Sequence, residues 1–155
     1  MQDIALKIHT SLLKRPKTLA VAESCTGGLL SKLLTDIPGS SKYFTLGVVA
    51  YSNKAKERIL KVPSSIIAKK GAVSYEVAQR MAEAARKLIK ADIGIGITGI
   101  AGPSGSSQGK PVGTVFIALD TKNNKICEKF HFMGNRASIR EKTALKALEL
   151  LKTIC

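Results

Sequence analysis

Tryptophan is absent from this 155-residue chain, and four phenylalanines and three tyrosines are its only other large aromatic residues. That scarcity argues against a broad base-stacking platform. Cysteine is also scarce: Cys25, Cys127 and Cys155 are an odd set without metal-like spacing. They exclude a disulfide framework and predict a reduced, cytoplasmic protein. No apolar run approaches the roughly 18 residues of a membrane span, so no membrane partner is expected. The opening residues MQDIALKIHTSLLKRPK lack the apolar core and small-residue cleavage site of a secretion signal. Acidic residues are few, 11 against 25 lysines and arginines, which leaves a formal charge of +14. Such an excess points to an anionic partner: nucleic acid, a membrane surface or a phosphorylated small molecule. What is abundant is ordinary: 45% hydrophobic and 23% charged residues describe one globular domain spanning 1–155.

Periodicity divides the chain into alternating elements. Ile4, Ile8 and Leu12 share one face of a helix over Asp3–Lys14, which Pro16 ends. Thr18–Glu23 reads as a buried strand and stops at the polar turn Ser24–Gly28. Leu29–Thr35 reads as a helix and Tyr43–Ser52 as a strand. Asn53 is the expected cap of a short helix through Leu60, and Ser64 starts another that ends at Gly71. Ser74 is the expected cap of a helix over Tyr75–Lys90. Ile93–Thr98 is a continuous apolar strand, followed by a long loop, Gly99–Val112. Loops of that length in a compact domain are usually functional or disordered. Strands Gly113–Asp120 and Lys125–Phe132 form a hairpin through Lys122–Asn124, and Ile139–Ile154 is a closing helix. The alternation predicts an α/β layered domain, mostly parallel, with one antiparallel strand.

Two glycine patterns imitate phosphate sites. Gly94, Gly96 and Gly99 fit GxGxxG, with Asp120 about 20 residues on. These glycines lie inside the strand, and no helix follows them, so a dinucleotide site is not expected. Gly105–Lys110 falls short of a phosphate loop because Ser104 stands where glycine is needed and Pro111 where Ser or Thr is needed. Ser24 is the stronger candidate. It ends a strand and precedes two glycines and a helix, which is the logic of a nucleophile elbow. The same pattern also fits a serine that caps the helix, and the pattern alone leaves both open. Neither His9 nor His131 sits in a polar cluster, so a serine–histidine pair lacks support. A desolvated lysine is the alternative base, and composition does not select one among so many.

Five segments carry a more specific resemblance. Ala22–Gly28 (AESCTGG), Tyr51–Lys56 (YSNxxK), Gly71–Ser74 with Glu76, Thr98–Pro103 (TGIAGP) and Lys110–Val115 (KPVGTV) occur in order. Together they resemble the CinA C-terminal domain family, whose enzymatic members are nicotinamide-nucleotide amidases, across roughly Asp3 to Leu151. The resemblance implies a three-layer α/β/α sandwich with a mixed, mostly parallel sheet of about five strands. It implies hydrolysis of the carboxamide of nicotinamide mononucleotide (NMN) to nicotinic acid mononucleotide and ammonia, in pyridine-nucleotide recycling. Ser24 matches the family nucleophile and Lys56 the catalytic lysine, while Tyr51 and Thr98 match active-site positions. Family members commonly self-associate, so a homo-oligomer is expected.

On that reading, backbone N–H groups of Cys25, Thr26, Gly27 and Gly28 hold the oxyanion, and Thr98 donates to the substrate or the lysine. Gly102 and its loop, Lys110, Arg136 and Arg140 are the candidates for the substrate phosphate. No cofactor and no metal are needed. Ser106 departs from the second glycine that many members carry after the position of Gly105. The length fits a stand-alone amidase domain without the pyrophosphatase domain that some members add. A catalytically silent nucleotide-binding protein, or a nucleic-acid-binding protein supported by charge alone, are the competing readings.

Overall fold

Leu19–Glu23 (β1) lies buried along its whole length, as an apolar run without alternation requires. The computed structural model describes all of residues 1–155 and places β1 between two parallel neighbours, Phe44–Val49 (β2) and Ile93–Gly99 (β3). Thr114–Thr121 (β4) runs antiparallel to β3, and Lys125–His131 (β5) antiparallel to β4, giving the order β2-β1-β3-β4-β5. Only β4 opposes the common direction, as the pattern predicts. Helices fill both sides: Gln2–Lys14 (α1), Leu29–Thr35 (α2), Asn53–Arg58 (α3), Ser64–Lys70 (α4), Tyr75–Leu88 (α5) and Arg136–Lys152 (α6). The expected three-layer α/β/α architecture is present.

Alternation along the strands sorts the two cores. Leu19, Val21, Ile93, Ile95, Ile97, Val115, Ile117 and Leu119 pack under α1, α2 and α6. Ala20 and Ala22 point the other way, onto Ile67 of α4 and Val77, Met81 and Ala85 of α5. Gly94 and Gly96 also face α5. A Cβ on Gly96 would lie 2.2 Å from the Ala78 carbonyl oxygen, and one on Gly94 2.1 Å from that of Ala82. The false dinucleotide pattern is therefore a packing pattern that lets a helix backbone touch the sheet. Its acidic residue, Asp120, is buried and accepts from Arg86 Nε of α5 at 2.5 Å. Gly96→Ala is expected to cost roughly 3 kcal/mol, or a melting temperature about 10 °C lower. An unchanged melting temperature would show that α5 yields without cost.

Element ends correct several expectations. β2 stops at Val49 rather than Ser52, because Ser52 rather than Asn53 caps α3, accepting from Ala55 N–H at 3.0 Å. α6 begins at Arg136, three residues before Ile139, since the Asn135 side chain accepts from Ser138 N–H at 2.9 Å. Ser74 does cap α5, accepting from Val77 N–H. No helix is long and apolar enough to cross a membrane.

Candidate active site

Parallel strands bring their C-terminal ends to one edge, where open α/β sheets place their ligand sites. Ser24 follows β1 directly, its N–H donating to Ile97 O of β3 at 3.0 Å. On the other side, Ala50 follows β2 and donates to Glu23 O at 2.9 Å. The chain then turns into α3, which carries Lys56 back over the end of β1. Lys56 is only 2% exposed, and Ser24 7%. Lys56 Nζ donates to Ser24 Oγ at 2.9 Å, Ala50 O at 3.0 Å and Tyr51 O at 3.3 Å. It forms no ion pair with any carboxylate. Burial pushes its amine below the ordinary lysine value, with Cys25 pulling weakly the other way. A lysine in this state can keep its two carbonyl bonds as a neutral amine and turn its lone pair to the serine hydroxyl.

Cys25 is also buried, 5% exposed, and burial pushes its thiol up to about 12. The turn's amides divide into two sets. Gly27 N–H donates to Ser24 O at 3.0 Å and Gly28 N–H to Glu23 Oε2 at 3.1 Å. Those two expected substrate donors are therefore already engaged. The amides of Cys25 and Thr26 have no acceptor within the chain.

A cleft of about 250 Å³ opens at Ser24, lined by Cys25, Tyr51, Val73, Ala101, Gly102 and Arg136 among others. The loop after β3 forms one wall through Gly99–Gly102, Ser104 and Gly105. Arg136 straps the mouth: Nη2 donates to Tyr51 Oη at 2.6 Å and Nη1 to Gly102 O at 2.8 Å. Arg140 donates to Thr26 O at 2.8 Å, behind the turn. A larger depression of about 420 Å³ between the α3–α4 link and α5 holds no nucleophile.

Other expected site residues are placed differently. The Tyr51 phenol meets Arg136, so it is the tyrosine's carbonyl that holds the lysine. Thr98 is buried, and its hydroxyl donates to Ala72 O at 2.8 Å, away from both Lys56 and the cleft lining. That bond ties the α4–α5 link, and with it Val73, to the sheet. Lys110 Nζ donates to Lys70 O at the end of α4, at 2.7 Å, and does not line the cleft. Sequence reasoning gave no role to Glu23 or to the walls Val73, Ile100 and Ala101. An acid just ahead of a helix start was the available signal for Glu23. No group of three or more His, Cys, Asp or Glu side chains is arranged to hold a metal.

The fold and this edge define an α/β/α domain with a serine elbow and a buried, unpaired lysine against it. The model of the CinA C-terminal domain matches residues 1–155, and the chain belongs to that family. It is similar to a putative competence-damage inducible protein of Thermoanaerobacter sp. (strain X514), 49% identical over 98% of this chain and 36% of the relative. It is likewise similar to a CinA-like protein of Geobacter sulfurreducens, 51% identical over 87% of this chain and 33% of the relative. The chain thus spans about a third of the length of these curated relatives. Among solved structures, the competence/damage inducible protein CihA from Agrobacterium tumefaciens superposes with TM-score 0.96 at 37% identity. That match covers 99% of this chain and 94% of that one.

Proposed function

We propose that this domain is an amide hydrolase acting on the carboxamide of NMN through Ser24 and Lys56. The contact between a carboxylate-free, buried lysine nitrogen and a serine hydroxyl carries the reading. The choice of substrate rests on the resemblance to the nicotinamide-nucleotide amidases. Neutral Lys56 accepts the proton of Ser24 Oγ as that oxygen attacks the carboxamide carbon. The carbonyl oxygen gains its charge beside the free amide of Cys25, which lines the cleft, with the free amide of the buried Thr26 next to it in the turn. Protonated Lys56 passes its proton to the leaving nitrogen, and ammonia departs. Water, activated by the same amine, then releases the acid from the serine ester.

Arg136 is the cation best placed for the phosphate, since it lies on the cleft wall and its planar fork suits a phosphate's oxygens. The test is ammonia release from NMN, with nicotinamide riboside as the substrate lacking phosphate. NMN is expected to turn over, with kcat/KM for the riboside about a hundredfold lower, the worth of one or two charge-assisted hydrogen bonds. Equal efficiency on both would remove Arg136 from this role. Tight NMN binding without ammonia would favour a silent nucleotide-binding domain.

A further inference from the structure

We propose that Glu23 is a positioning residue that decides which backbone amides face the reacting carbonyl. This rests on the serine–lysine reading above. Glu23 ends β1, immediately before the nucleophile, and is 0% exposed. Its side chain forms no ion pair with any lysine or arginine, although the chain is rich in both. It is satisfied by hydrogen bonds alone. Oε2 accepts from Gly28 N–H and Leu30 N–H, both at 3.1 Å. Oε1 accepts from Ser31 N–H at 2.8 Å and Ser31 Oγ at 2.6 Å. A buried carboxylate without a countercharge persists only where donors replace its water, and here the start of α2 supplies them.

Two consequences follow for the serine. Gly28 N–H and the first amides of α2 are saturated by an internal anion, so they do not compete for the substrate's developing charge. The anchored end of the turn also sets the direction of the remaining amides. Between the fixed strand end at Glu23 and the fixed Gly28 lie only Ser24, Cys25, Thr26 and Gly27. Gly27 and Gly28 take φ of +60° and +95°, a path open to residues without a Cβ. Gly27 N–H closes on Ser24 O, which leaves Cys25 and Thr26 N–H free. The backbone carbonyl of Glu23 also accepts from Ala50, whose own carbonyl holds Lys56. One residue thus anchors the nucleophile's turn by its side chain and the lysine's support by its main chain.

Glu23→Gln keeps the shape but gives one of the two donor groups a competing NH₂. The experiment uses the full chain and two readouts: ammonia release from NMN, and covalent labelling of Ser24 by an alkyl fluorophosphonate. In labelling, the Ser24 Oγ–P bond forms, the P–F bond breaks, fluoride leaves, and the serine proton passes to Lys56. At temperatures where circular dichroism shows it folded, Glu23→Gln is expected to label at least about tenfold more slowly. Its kcat is expected to fall in step, with KM for NMN within about twofold of wild type. Ser31→Ala removes one donor, leaves the backbone intact and is expected to slow labelling roughly threefold while lowering the melting temperature by only a few degrees. Wild-type labelling in folded Glu23→Gln, or loss that tracks only the unfolded fraction, overturns the proposal. If Glu23→Gln does not fold, wild-type labelling in Ser31→Ala overturns it. A wild-type chain that labels but releases no ammonia from NMN overturns the amidase reading, and the labelling ratios still decide this one. A wild-type chain that does neither overturns both.

Discussion

Ser24→Ala is expected to lower ammonia release from NMN by roughly four orders of magnitude, while Cys25→Ala keeps most of it. A thiolate is intrinsically the stronger nucleophile, and the two side chains are adjacent, so the chemistry of the residue types alone favours cysteine. The environment reverses that order. With its thiol pushed up to about 12 by burial, Cys25 holds its proton at neutral pH and offers no thiolate. The same thiol packs into the core with Leu30, Ile97 and Val115. Ser24 instead has an amine within 2.9 Å, held there by two carbonyls that leave one position on the nitrogen for the hydroxyl. Cys25→Ala is expected to cost about 1–2 kcal/mol of stability from the small cavity it leaves, and little in rate. Ammonia release with both variants, checked at equal folded fraction, distinguishes the two nucleophiles. Full activity in Ser24→Ala would end the serine mechanism.

The alternation of helices and strands, the hairpin and Ser74's cap were legible because each depends on local pattern. Ser24 was legible for a similar reason: a strand end, two glycines and a helix start lie within a few residues. Lys56 was not legible from the residues themselves. It lies 32 positions from Ser24, and only the pairing of β2 beside β1 brings them together. Among 25 basic residues, burial is what separates this lysine from its neighbours, and burial of a charged side chain leaves no periodic trace. The resemblance singled it out instead. Side-chain partners were the least legible level. Thr98 bonds Ala72 and Lys110 bonds Lys70 because the α4–α5 link lies over the end of β3, a contact no spacing reveals. Gly27 and Gly28 read as free anion donors until Glu23 is seen to take the amide of one and Ser24 that of the other. The glycines of β3 imitate a dinucleotide motif for a different reason, and their place inside the strand is what gave them away. A close helix–strand approach and a phosphate loop both select residues without a Cβ.

The lysine also links activity and stability to pH with one sign. In the folded chain burial lowers its pKa, whereas in the unfolded chain it titrates near 10.4. Between those two values the unfolded chain binds more protons, so stability contributed by this group rises with pH. Below the folded value, both states are protonated and the full cost of burying the ammonium remains. In the proposed mechanism the free amine is also the form that accepts the serine proton, so kcat/KM is expected to climb with pH across the lowered lysine value and then level. Lys56→Met is expected to remove both dependences at once. Activity falls by about three orders of magnitude or more, and the positive contribution that this lysine makes to the slope of unfolding free energy against pH, below the range where the buried cysteine thiols titrate, is lost. Lys56→Arg keeps a cation but not a base, because a guanidinium holds its proton throughout this range, so it is expected to be as inactive as Lys56→Met. Rate profiles and urea melts at matched pH measure the two effects. A kcat/KM flat across pH 6–10 in wild type, or an active Lys56→Arg, would assign the proton to another group. Arginine separates charge from basicity: if Lys56 acted only as a fixed positive charge beside Ser24, the arginine variant would retain its rate.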